Sequence, residues 1–262
     1  MRRIKFFQKK LLFSAPFFAF LGFIGCTILQ NNNLKDYYFP HAMLHRSGDM
    51  VYVFKSQDPK LPIARYWYLH ARTDSLNRPI LVAISFRSDG LPVQKSTFRI
   101  DSAEVRLVDL VLVEYDLLQK PVRIRAEIRQ PYVFNLALRD THMVLYAEVV
   151  WTNPLDSMEY TLTKVRKWKG FSNDTVLGAR HNTLRYDVIA NLKSFRPDKG
   201  ETDSAWPERE YYAESIGLYR FVMEVVPGYP EDVQLVDIVP AHHFESRYHI
   251  NLSPLRRIFP DF

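Results

Sequence analysis

The chain has 262 residues, a single cysteine, nine glycines and a formal net charge of +6. One cysteine excludes an internal disulfide, a thiolate zinc site and dithiol redox chemistry. Five of the positive charges lie ahead of residue 11, so the chain from residue 26 onward is near neutral and offers no whole-protein case for nucleic-acid binding.

Arg2, Arg3, Lys5, Lys9 and Lys10 precede an apolar run, Leu11 to Ile24, with no acidic residue among them. That polarity holds the N-terminus on the cytoplasmic side while the run enters a membrane. As a helix the run covers about 21 Å, short of the roughly 30 Å hydrocarbon core. Pro16 and Gly22 weaken it further as a permanent span. A cleaved secretory signal over residues 1–25 fits best. The alternative is an uncleaved anchor extending through Thr27, Ile28 and Leu29.

Phe23-Ile24-Gly25-Cys26 resembles the lipobox of bacterial lipoproteins. That resemblance implies cleavage before Cys26 and acylation of its thiol and new amino group. Residues 26–36, with the tract Gln30-Asn31-Asn32-Asn33, read as a polar spacer. Surface-exported lipoproteins of the Bacteroidetes type carry acidic residues directly after the acylated cysteine. Here none occurs before Asp36, which implies a lipid-anchored envelope protein facing the periplasm.

From residue 37 to 262 a single β domain is expected. Val51 to Phe54 and the aromatic run Arg65 to Leu69 open the series. Ile80 to Phe86 and Val93 to Ile100 flank Ser88-Asp89-Gly90, a hairpin with glycine in its turn. Val105 to Tyr115 follows. Val122, Ile124, Ala126 and Ile128 then alternate with Arg123, Arg125, Glu127 and Arg129, the signature of a half-buried strand. Tyr132 to Leu138, Met143 to Trp151 and Tyr160 to Trp168 continue, the last with lysines and an arginine read as a solvated outer face. Leu184 to Leu192, Tyr211 to Val226 and Val233 to Val239 complete the strands, and Pro197 to Pro207 reads as a polar loop. The fold class is therefore mainly β: an antiparallel, strongly curved sheet, half-barrel, barrel or sandwich, with few short helices.

Gly178-Ala179-Arg180-His181 and the later run Glu210 to Tyr219, with Tyr212, Ala213, Gly217 and Leu218, resemble the late part of periplasmic domains similar to the lipoprotein carriers. The resemblance implies a half-barrel whose concave face holds acyl chains or another apolar partner. With the aromatic density of the second strand, it nominates Tyr66, Trp67, Tyr68, Tyr212, Ile216 and Leu218 as ligand-binding candidates. Strand alternation lets only about half of them share a face.

No nucleophile elbow, phosphate loop, dinucleotide fingerprint or H-E-x-x-H motif occurs. No cofactor is implied. Asp237, His242, His243, Glu245 and His249 form the one set with metal-ligand chemistry, although adjacent histidines on a strand would face opposite ways. Two function classes stand. One is a non-catalytic binding or assembly module for a lipid or another envelope protein. The other is an envelope hydrolase or metal-dependent enzyme built on that histidine-carboxylate set.

Overall fold

The computed structural model describes residues 34–260 except 39, 41–43, 45–46, 60–63, 137–143 and 199. The expected signal, Cys26 and most of the spacer lie outside the described residues. Leu34 is buried and Lys35 begins a helix, so the folded body starts inside the end of that spacer. None of the helices among the described residues is long and apolar enough to cross a membrane.

Thirteen strands make one antiparallel sheet: β1 Met50–Ser56, β2 Ala64–Thr73, β3 Pro79–Phe86, β4 Pro92–Ile100, β5 Glu104–Tyr115, β6 Pro121–Arg125, β7 Glu127–Asn135, β8 Val144–Asn153, β9 Met158–Val176, β10 Ala179–Arg196, β11 Gly200–Ala213, β12 Gly217–Val226 and β13 Tyr229–Pro240. The sheet order runs β4-β3-β2-β1-β13-β12-β11-β10-β9-β8-β7-β5-β6, and β4 also pairs with β5. That last pairing closes a barrel of twelve strands. β6 and β7 are one stretch of chain interrupted at Ala126, whose N–H donates to the Leu110 carbonyl at 2.9 Å. Register shifts at Val53/Phe54, Thr97/Phe98, Arg185/Tyr186 and Tyr211/Tyr212 are bulges that add the local twist closure needs.

Three short helices have both ends among the described residues: α1 Lys35–Tyr38, α2 Ala241–Tyr248 and α3 Ser253–Ile258. α1 plugs one end of the barrel. The Ser215 N–H in the β11–β12 turn donates to the Asp36 carbonyl at 2.8 Å, and Tyr37 is fully buried. The interior core at that end gathers Tyr52, Phe54, Phe134, Trp168, Tyr186 and Tyr212. A second core lies outside the wall, where Phe244, Leu255, Ile258 and Phe259 of the C-terminal segment cover the outer face of β1 to β3. Strand β1 therefore has apolar burial on both faces, which explains its unbroken run Met50 to Phe54. Gly90 lets the β3–β4 turn meet this layer: its φ is +80°, and a Cβ there would lie 2.7 Å from the Asn251 carbonyl oxygen.

Two expected elements differ. Residues 200–207, read as loop, continue β11, with Pro207 opposite Ile189. Pairing of β11 with β12 begins only at Glu208, so Pro207 sits where β11 is an edge, the position that tolerates a missing donor. The run Tyr211 to Val226 is two strands, β11 and β12, separated by a turn with Ser215 and Gly217 at φ of 65° and 91°. A Cβ on Gly217 would lie 3.2 Å from the Tyr38 carbonyl oxygen, so this turn is also where α1 seats.

Candidate functional site: a cavity inside the barrel

Hairpin turns alternate between the two ends of an antiparallel barrel. The β2–β3, β4–β5, β7–β8, β9–β10 and β11–β12 connections share the end closed by α1. Among the described residues nothing closes the other end, which leads to an interior cavity of about 920 Å³. That volume lies in the range of small-molecule sites.

One wall is apolar. Trp67 and Leu69 of β2, Leu81 and Ala83 of β3, Phe98 of β4, and Leu107, Leu110 and Leu112 of β5 point inward by strand alternation. Tyr38, Tyr212 and Ile216 form the floor, with Tyr38 stacked near Tyr212 at 6.1 Å between ring centroids. Tyr52 donates its hydroxyl hydrogen to the Ile216 carbonyl at 2.7 Å and so ties the floor to β1.

The opposite wall carries charge. Lys164 and Arg166 on β9 lie two residues apart, as do Glu208 and Glu210 on β11, and all four line the cavity. Between them β10 presents Val188 and Ala190, small enough for the basic side chains to reach across. Arg166 holds Glu210 through two hydrogen bonds of 2.9 and 3.0 Å, and Tyr212 donates to the same carboxylate at 2.9 Å. Lys164 Nζ donates to Glu208 at 2.6 Å, and the Trp206 indole N–H donates to it at 2.8 Å. Burial alone would push the Glu210 carboxyl up, but the Arg166 charge and hydrogen bonds outweigh it and hold the group down to about 2. The Tyr212 phenol is raised well above its ordinary value by burial and then by the Glu210 charge. Both stay in one protonation state near neutrality, so the pair gives the cavity a permanent dipolar wall and no proton-transfer group at Glu210.

The nominated aromatics divide between the two faces of the sheet. Trp67, Tyr212, Ile216 and Leu218 line the cavity. Tyr66 and Tyr68 face outward: Tyr66 stacks on Phe86 at 5.3 Å and meets Phe244 edge-on at 5.4 Å, while Tyr68 donates to Asp49 at 2.6 Å. The histidine-carboxylate set does not converge. His242 and His243 stand exposed on α2 rather than on a strand, and His249 caps that helix in the left-handed conformation. Asp237 is engaged by Tyr248 at 2.5 Å and Arg247 at 2.8 Å. Among the described residues no group of three or more His, Cys, Asp or Glu side chains is placed to hold a metal ion.

Lys164 and Arg166, expected on a solvated outer face, point into the barrel. Their parity signals this, because Leu162 and Trp168 fall on the same face of β9 and both are apolar. The matched two-residue spacing of Glu208 and Glu210 was the second available signal.

Solved structures with partial likeness to this chain include three from bacteria. One is a candidate lipoprotein of Parabacteroides distasonis ATCC 8503, 15% identical, with a TM-score of 0.47 over 72% of this chain and 94% of that one. Another is a candidate exported protein with a YmcC-like fold from Bacteroides fragilis NCTC 9343, 11% identical, TM-score 0.45, covering 72% and 94%. The hypothetical lipoprotein YmcC from Escherichia coli K12 is 11% identical, TM-score 0.32, covering 79% and 90%. The likeness is distant. No family model matches the chain, and no curated protein matches it.

Proposed function

We propose that this protein is a membrane-anchored envelope lipoprotein that binds an apolar ligand non-catalytically inside its barrel. The observation that carries the reading is the 920 Å³ cavity, plugged at one end by α1, open at the other and lined mainly by apolar side chains. Burying a chain of methylenes there is worth about 0.8 kcal/mol for each one removed from water. The Lys164–Glu208 and Arg166–Glu210 pairs balance in charge, so the polar wall suits a ligand with a polar but not strongly charged part. Anchorage at Cys26, and with it an envelope location, rests on the lipobox resemblance. Replacing Cys26 by Ala then leaves unprocessed precursor, read by its mobility on a gel.

Filling the cavity tests the binding reading. Ala147 of β8 lines it, and Ala147→Trp occupies space that a ligand would take. The protein extracted from membranes carries lipid detectable by mass spectrometry, and the Ala147→Trp variant carries several-fold less at unchanged melting temperature. Equal loading of both, or an empty wild type, refutes the proposal.

A further inference from the structure

The open end of the barrel carries a second feature, independent of what the cavity holds and of Cys26. Three of its hairpin tips carry exposed apolar side chains. In the β5–β6 turn Leu117 and Leu118 are 101% and 74% exposed. In the β12–β13 turn Val225, Val226 and Tyr229 stand out, Tyr229 at 77%. Leu155 of the β8–β9 turn is also exposed. The order of strands puts the first two tips on opposite sides of the mouth, with Leu155 between them on one side.

The fold does not require apolar residues there. The β5–β6 turn is built by Asp116, whose carboxylate accepts from the N–H groups of Leu118 and Lys120 at 2.8 Å each, and by Gln119 at φ 58°. The two central positions have no structural duty, and turns ordinarily place polar residues at them. Asn153 plays the same part for Leu155, accepting its N–H at 3.0 Å. The end closed by α1 shows Leu76 and Leu177 as its exposed large apolar residues among the described turns.

We infer that these tips dip into the surface of a lipid bilayer, with the mouth of the barrel facing it. Separate tips on a ring make no continuous patch for a protein partner, whereas a bilayer interface accepts each one singly, and Tyr229 has the amphipathic ring that interfaces favour. Three ion pairs stand around the mouth: Arg65 with Glu231, Arg87 with Asp89, Arg196 with Asp198. Apolar tips need no anionic headgroup, so a zwitterionic surface suffices. The cavity opens within the ring, so the apolar tips surround the mouth of a mainly apolar interior.

Residues 33–262 form a compact unit that contains every strand and all three cores, so a chain beginning at Asn33 keeps the whole described fold and lacks any anchor. That chain floats with phosphatidylcholine vesicles in a density gradient, and added salt changes little. Leu117→Ser with Leu118→Asp, or Val226→Asp with Tyr229→Ser, weakens flotation about tenfold or more. Leu76→Asp at the opposite end leaves it unchanged. These side chains are exposed, so melting temperatures stay level and report that every variant is folded. Failure of the wild type to float, indifference to the rim substitutions, an equal loss with Leu76→Asp, or photocrosslinks from position 118 that trap only protein in cell envelopes overturns the inference.

Discussion

Arg166 reaches across the small side chain of Val188 to grip Glu210 with two hydrogen bonds, inside a barrel whose neighbouring walls are apolar. Both side chains are about nine-tenths buried, with relative exposures of 9% and 9%. Removing one partner strands the other charge, so Arg166→Met or Glu210→Gln alone costs about 3–5 kcal/mol. The double variant Arg166→Met/Glu210→Leu removes both charges and recovers most of that loss. Urea unfolding of the four proteins checks it, and equal loss in the singles and the double contradicts it.

The same pair sets an acid limit. Glu210 is held down to about 2 against an ordinary 4.5, so its folded value lies below its unfolded one. Its contribution, about 3 kcal/mol for a shift of that size, is complete above about pH 4.5 and is lost as pH falls towards 2. Urea midpoints at pH 7, 4 and 3 fall in the wild type across this window. The Arg166→Met/Glu210→Leu variant shows a flatter profile.

Gly90→Ala tests the seat of the C-terminal segment. The new methyl would meet the Asn251 carbonyl at 2.7 Å, on a residue already at φ +80°. Backbone must move there, and the cost exceeds about 1 kcal/mol. Hydrogen exchange should quicken at Phe244 and Leu255 before the barrel strands are affected.

Two aromatic truncations separate packing from cavity lining. Phe244 is completely buried between Tyr66, Phe86 and Tyr248, and Phe244→Ala costs about 3–5 kcal/mol. Trp67 is half-buried on the cavity wall, and Trp67→Ala costs no more than about 2 kcal/mol while lowering the lipid carried from membranes. A full core penalty at Trp67 with no change in lipid content counts against a binding role.

Much of the sheet was legible. Val122 to Arg129 alternates in sequence, and in the structure Ile124 and Ala126 are buried while Arg123, Arg125, Glu127 and Arg129 are exposed. Gly90 marked its turn. Closure was less legible, because it depends on the first strand meeting the last, Met50 opposite Pro240, and on bulges that leave little trace in local pattern. The charged wall was hidden for another reason: basic residues on a strand ordinarily mean solvent, and only partners some forty residues away make their burial tolerable. Likewise Pro207 looked like a loop breaker until the edge of β11 supplied a place for it.

The wall of the barrel is not equally laced along its height. Near α1 the β5–β7 and β11–β12 ladders are intact, but towards the mouth β6 pairs with β5 alone, and residues 200–207 of β11 pair with β10 alone. The four strands β8 to β11 thus form a leaf that meets the remaining strands at mid-height, where Glu127 to Pro131 of β7 pair with β8, and through β12 from Glu208 towards the plugged end. Such a vessel behaves like a purse with a sprung clasp. Its base is fixed, and among the described residues no ladder hydrogen bond joins the leaf to its neighbours above Glu127 on one side or above Glu208 on the other.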